Sequence, residues 1–124
     1  MKQILFADDD DSIRNLMLNL FKNHFANYEI EAFPDGTSLD SRLERNISNV
    51  CLVLTDNSMP GINGSEIIKK YAKNPSFDKI SFILVYGGDE DIGNMAVKKG
   101  AFAFINKPYS IEEILSLAEK ALNR

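Results

Sequence analysis

Five short apolar runs, each separated from the next by a helix-length stretch, limit what this chain can fold into. The runs are Gln3–Ala7, Tyr28–Phe33, Val50–Thr55, Ile80–Tyr86 and Ala101–Ile105. Val50–Thr55 and Ile80–Tyr86 are almost unbroken by polar residues, which suits strands covered on both faces. Tyr28–Phe33 alternates around Ile30 and Ala32 and stops at Pro34-Asp35-Gly36, a turn signal. Between the runs, Ser12–Phe25 places Ile13, Leu16, Met17, Leu20, Phe21 and Phe25 at the spacing of a helix with one buried stripe. Thr37–Arg45 reads as a shorter polar helix. Ser65–Lys73 gathers Ile67, Ile68 and Tyr71 on one side. Asp89–Lys99 has weak periodicity, and Ile111–Leu122 is clearly amphipathic. Strict strand–helix alternation predicts an α/β fold with a parallel five-stranded sheet and helices on both faces.

The 124 residues suit one domain over positions 1–124, and the sequence shows no internal repeat, linker or low-complexity stretch. We expect no attached output domain. Fourteen Lys and Arg against 18 Asp and Glu give a formal net charge of −4, a balance that argues against direct nucleic-acid binding. No apolar run approaches the roughly 18 residues of a membrane span. The start passes quickly into acids and does not read as a signal peptide. The single cysteine, Cys51, opens an apolar strand and cannot form an internal disulfide, so a cytoplasmic setting is expected.

Where the apolar runs end carries the functional information. Asp8 and Asp9 follow the first strand, Asp56 the third, and Lys107 the fifth. In an open α/β sheet these strand ends share one rim, where ligands bind. If strands one and three are neighbours, the three carboxylates converge. Carboxylates held together repel unless something positive joins them. A hard divalent cation such as magnesium meets that need with oxygen ligands. Lys107 adds a point charge suited to a phosphate oxygen. Each residue alone has a plainer reading. Asp10 and Asp11 suit the cap of the first helix, Asp56 a turn, and Lys107 a solvated surface. Their joint placement at strand ends is what favours a metal and phosphoryl site.

Three segments then resemble the receiver domain of two-component response regulators, with a CheY-like fold. They are Ile4 through Asp10, Val53 through Gly64, and Gly100 through Tyr109. The resemblance covers essentially the whole chain. It implies the flavodoxin-like strand order 2-1-3-4-5. It implies that Asp56 accepts a phosphoryl group from a histidine kinase or a histidine phosphotransfer protein. Asp8 and Asp9 match the acidic pair that positions Mg2+, Ser58 matches the residue whose backbone carbonyl joins the metal, and Lys107 matches the lysine that contacts phosphate. Lys107-Pro108 matches a bond that is cis in this family. The face of helix four, strand five and helix five is the family's partner surface, with Met95, Lys98 and Phe104 as members here.

One position departs from the family pattern. The end of strand four carries a short Thr or Ser hydroxyl in the family, whereas this chain reads Ile83-Leu84-Val85-Tyr86-Gly87-Gly88. Tyr86 fills the place if the following loop is one residue shorter, and Val85 otherwise. A tyrosine there is expected to overshoot a bound phosphate or swing outward. Gly87 fits the need for a small neighbour. Phe104 matches the aromatic that the family couples to the hydroxyl, and strand alternation turns it away from Lys107. Tyr86, Gly87 and Phe104 are therefore the expected switch residues. The alternative is a degenerate receiver that binds partners without phosphorylation. A phosphohydrolase of the haloacid dehalogenase type wants a second Asp two residues after the first, where this chain has Ser58. His24, near the end of the first helix, reads as an exposed and inert histidine.

Overall fold

A computed structural model describes residues 1–124. Five strands alternate with five α-helices: β1 Gln3–Ala7, α1 Asp11–His24, β2 Glu29–Phe33, α2 Gly36–Leu43, β3 Val50–Asp56, α3 Gly64–Tyr71, β4 Ser81–Tyr86, α4 Glu90–Lys98, β5 Ala103–Asn106 and α5 Ile111–Leu122. A short 3₁₀ turn at Pro75–Phe77 leads into β4. All strands run parallel, in the order β2-β1-β3-β4-β5.

The sheet divides the apolar residues by strand alternation. Leu5, Val53, Phe82, Leu84 and Tyr86 point to the side that carries α2, α3 and α4. Ile4, Phe6, Leu52, Leu54, Ile83, Val85 and Ile105 point to the side that carries α1 and α5. Both faces are buried, which explains why β3 and β4 read as continuous apolar runs.

The helix ends follow from sequence chemistry. Asp10 caps α1 by accepting from Ile13 N at 3.1 Å. Asn63 with Glu66, and Ser110 with Glu113, form capping boxes at α3 and α5. Each cap stabilises its helix by about 1 kcal/mol. The expected ends of α5 agree with the observed ones, and those of the other helices differ by one or two residues, because caps rather than apolar periodicity set where helices begin. The weakly periodic stretch after β4 does form a helix. Its burial falls on Gly93 and Ala96, residues too small to register as an apolar stripe. No helix is long and apolar enough to cross a membrane.

Cys51 is half-buried rather than part of the closed core, and its Sγ lies 3.6 Å from the Asn49 carbonyl oxygen. His24 is exposed and pairs with Glu119, tying the end of α1 to α5.

Candidate functional site

The register of β1 on β3 decides where the acids meet. Ala7 lies opposite Thr55, so the next residues, Asp8 and Asp56, leave the sheet side by side. Asp8 and Asp56 are buried, while Asp9 is exposed at the rim. One carboxylate oxygen from each of Asp8, Asp9 and Asp56 lies within 4.8 Å of the others. Lys107, one residue past β5, reaches back so that Nζ donates to Asp56 Oδ2 at 3.0 Å. The Lys107-Pro108 peptide is cis.

The backbone holds these groups firmly. Asp8 Oδ1 accepts from Asp10 N at 2.9 Å, and the Asp8 carbonyl accepts from Arg14 at 2.9 Å. Asn57 N donates to the Val85 carbonyl at 2.8 Å, and Gly64 N donates to the Asn57 carbonyl at 3.0 Å. The Asn57 side-chain oxygen accepts from both the amide and the hydroxyl of Ser65. The loop after Asp56, with Ser58 exposed on it, is thereby anchored to the start of α3. Gly64 is required there, since a Cβ would stand 2.4 Å from the Asp56 carbonyl oxygen.

Electrostatics match this geometry. Burial pushes the Asp8 carboxyl above its usual range, and the charges of Asp56 and Asp9 push the same way. Burial draws the Lys107 ammonium down. Its hydrogen bond to Asp56 and the charges of Asp56 and Asp8 outweigh that, so the net direction is up. One ammonium faces three carboxylates, so the cluster is short of positive charge. Its donors are all oxygens, close enough to share one ion. That chemistry fits a hard cation such as Mg2+.

Strand β4 serves two different environments at its end. Val85 lies opposite Asp56 and lines a small cavity with Asp8, Asp56 and Tyr109. Tyr86 faces the other way. It is only 1 % exposed rather than swung outward, because its side of β4 is closed by α3 and α4. Its ring lies 5.7 Å from that of Phe104. Its hydroxyl is the buried side-chain polar atom that has no hydrogen-bond partner. Burial, then the charges of Glu90 and Asp89, push this phenol up. Phe104 is half-buried and also packs on that side, away from Lys107. It can do so because α4 offers Gly93, where a Cβ would stand 2.4 Å from the ring. Gly87 is exposed, and a Cβ there would stand 3.9 Å from the Lys107 Cβ, an ordinary contact.

Asp8, Asp9, Asp56 and Lys107 thus come together, and Tyr86 and Phe104 form a separate pair across the sheet. Tyr109 was not foreseen as part of the acid cavity. The signal for it was its position two residues after Lys107.

A family model described as a response regulator receiver domain matches residues 4–119. The chain is 32% identical over 112 residues to a 3',5'-cyclic-nucleotide phosphodiesterase, regA, of Dictyostelium discoideum, covering 89% of this chain and 14% of that protein. It is 26% identical over 125 residues to the sensory transduction protein RegX3 of Mycolicibacterium smegmatis, covering 100% of this chain and 52% of that protein. The chain therefore spans about half, or much less, of the length of these relatives. Among solved structures, a response regulator receiver domain protein from Clostridium thermocellum superposes with a TM-score of 0.86 at 26% identity, covering 100% of this chain and 96% of that one.

Proposed function

The chain belongs to the response regulator receiver domain family, and from that premise we propose that it is a phosphorylation switch in two-component signalling, with Asp56 as the phosphoacceptor. One observation carries this reading. The Lys107 ammonium is 3.0 Å from a buried Asp56 carboxylate that shares a pocket with two further acids. The donor is a phosphohistidine on a histidine kinase or a histidine phosphotransfer protein. A carboxylate oxygen of Asp56 attacks phosphorus in line, and the bond from phosphorus to the histidine nitrogen breaks. The electron pair of that bond stays on the imidazole, and Asp56 becomes an acyl phosphate. Lys107 holds a phosphoryl oxygen and offsets its charge. Water attack on phosphorus later returns Asp56 to a carboxylate. Asp8, Asp9, Asp56 and the Ser58 carbonyl would hold a magnesium ion, which would further neutralise charge on the transferring group. The protein acts on itself alone, and its setting is cytoplasmic.

The readout runs through Gly87, beside Lys107, and through Tyr86 and Phe104 on the other side of the sheet. The face formed by α4, β5 and α5 is the surface for a downstream protein, with Met95, Lys98 and Phe104 as members. Exposure of Met95, Val97 and Phe102 on and beside that face supports this assignment. A phosphorylation-independent binding module is not favoured, because the acids and the lysine are all assembled.

Incubation with magnesium and acetyl phosphate, or with a phosphohistidine donor, tests the reading. The intact protein gains the mass of one phosphoryl group, and Asp56→Ala does not. No gain from any donor, or a gain retained in Asp56→Ala, overturns it.

A further inference from the structure

The rim opposite Asp56 carries a second polar pocket. Gln3 opens β1 there, and Asn49 stands just before β3. With Arg42, Arg45 and Asn46 they line a hollow of about 280 Å³ that contains no apolar residue and no acid. Arg42 is only 8 % exposed, which is rare for a charged side chain. Its Nε donates to Glu31 Oε1 at 3.1 Å, Nη1 to the Asn46 carbonyl at 2.9 Å and Nη2 to Gln3 Oε1 at 2.7 Å. A guanidinium has five N–H groups, so two remain. The same bonds orient the amides. Gln3 Oε1 faces Arg42, and Asn46 Oδ1 accepts from the amide and the hydroxyl of Ser48, so the NH2 group of each is left over. Arg45 and Asn49 join the fold through their backbones: Arg45 N donates to the Arg42 carbonyl, and the Asn49 carbonyl accepts from Gln3 N. The pocket's acceptors are thus consumed, and its donors remain.

Charge points the same way. Two guanidinium groups line the hollow, and Glu31, outside it, balances one of them. Asn49 also borders the adjoining hollow, where Lys2, Lys79 and Arg124 outnumber the single acid, Asp78. This end of the molecule is basic, whereas the chain as a whole carries −4. We propose that the pocket of Arg42 and Arg45 binds the phosphate group of a small phosphomonoester. Such a group presents three acceptor oxygens and about two negative charges. It uses donors from two guanidiniums and several amides more fully than the two oxygens of a carboxylate do. The volume lies at the low end of the roughly 300–1,000 Å³ of small-molecule sites, so the ligand is compact. The length of β1 separates this pocket from the acids at its other end, so binding here does not depend on the reading of Asp56.

NMR of backbone and side-chain amides, without magnesium and with glycerol 3-phosphate as the probe, tests this. Succinate, and sodium chloride at matched ionic strength, are the controls. We expect saturable shifts at Gln3, Arg42, Asn46 and Asn49 with glycerol 3-phosphate, and none with chloride. Arg45 is exposed, so Arg45→Gln should fold as the wild type does and bind about tenfold more weakly. Asn49→Asp sets a carboxylate against the ligand and should abolish binding. No saturable shift in the wild type overturns the proposal, as does equal affinity in Arg45→Gln. Should Arg45→Gln melt earlier than the wild type, Asn49→Asp decides, and retained binding there overturns the proposal. Succinate binding as tightly as glycerol 3-phosphate overturns the phosphate assignment. Shifts confined to Asp8, Asp56 and Lys107 place the ligand at the acid rim and overturn the pocket.

Discussion

The two sides of the sheet at the end of β4 are built on opposite terms. On the α1 and α5 side, Asp56 is met by Lys107 at 3.0 Å, Asp8 is held by the amide of Asp10, and the residue after Asp56 is bonded to the Val85 carbonyl. On the α4 side, the Tyr86 hydroxyl has no partner, and Phe104 sits in a notch that exists only because position 93 lacks a side chain. Polar groups are secured where chemistry needs fixed positions. Across the sheet, a buried polar group is left unsatisfied. A buried hydroxyl without a partner raises the energy of the arrangement that holds it. The difference teaches that strand alternation alone can hand adjacent residues, Val85 and Tyr86, to two different environments.

The same substitution, once behind the Asp56 backbone and once at the Phe104 notch, gives the largest test of this contrast. Gly64→Ala forces a Cβ against the Asp56 carbonyl, which is backbone and cannot yield, and should cost about 1–3 kcal/mol in chemical denaturation. Gly93→Ala meets a ring that can swing, and it gains about 1 kcal/mol of helix propensity, so its stability should change far less. Equal losses from the two would break the contrast. Next in size is Lys107→Met. Losing a charge-assisted hydrogen bond worth about 1.5–3 kcal/mol should slow labelling from acetyl phosphate by roughly ten- to a hundredfold. Measured labelling rates with magnesium held constant decide this.

Asp8→Asn should have a smaller effect, and one that depends on pH. The Asp8 carboxyl is raised by burial and by its acidic neighbours, so the folded protein holds that proton more tightly than the unfolded chain does. Stability from Asp8 is full below the usual Asp value of 3.8 and is lost as pH rises through the raised value. Asp8→Asn should therefore raise the melting temperature at pH 7 without magnesium, and the gain should vanish toward pH 3. A gain independent of pH would show that repulsion is not its source. The smallest stability effect belongs to Tyr86→Phe, which removes only the unpartnered hydroxyl. Its melting temperature should equal or slightly exceed that of the wild type. A clear drop would reveal a bond that the resting arrangement does not contain.

Much of this could be read in the residues beforehand. Val50–Thr55 and Ile80–Tyr86 announced covered strands, and their alternation with helical stretches announced a parallel sheet. The meeting of Asp8, Asp9 and Asp56 followed from strand ends once β1 and β3 were taken as neighbours, and the observed pairing makes them so. What could not be read was side-chain direction at crowded positions. Tyr86 turns inward because α3 and α4 close that side of β4, a tertiary fact with no local signature. Gly93 weakened the apparent periodicity of α4, although its lack of a side chain is what seats Phe104. Tyr109 looked like the tail of a motif, and only folding of the segment after β5 places it beside Asp8 and Asp56.

The groups of the acid cavity are contributed by positions 8, 56 and 107, nearly the full span of the chain. No fragment and no half-assembled sheet can bring them together. Under the proposed phosphotransfer, a donor protein would load only a finished molecule, and a misfolded copy, lacking the pocket, would stay silent instead of sending a false message.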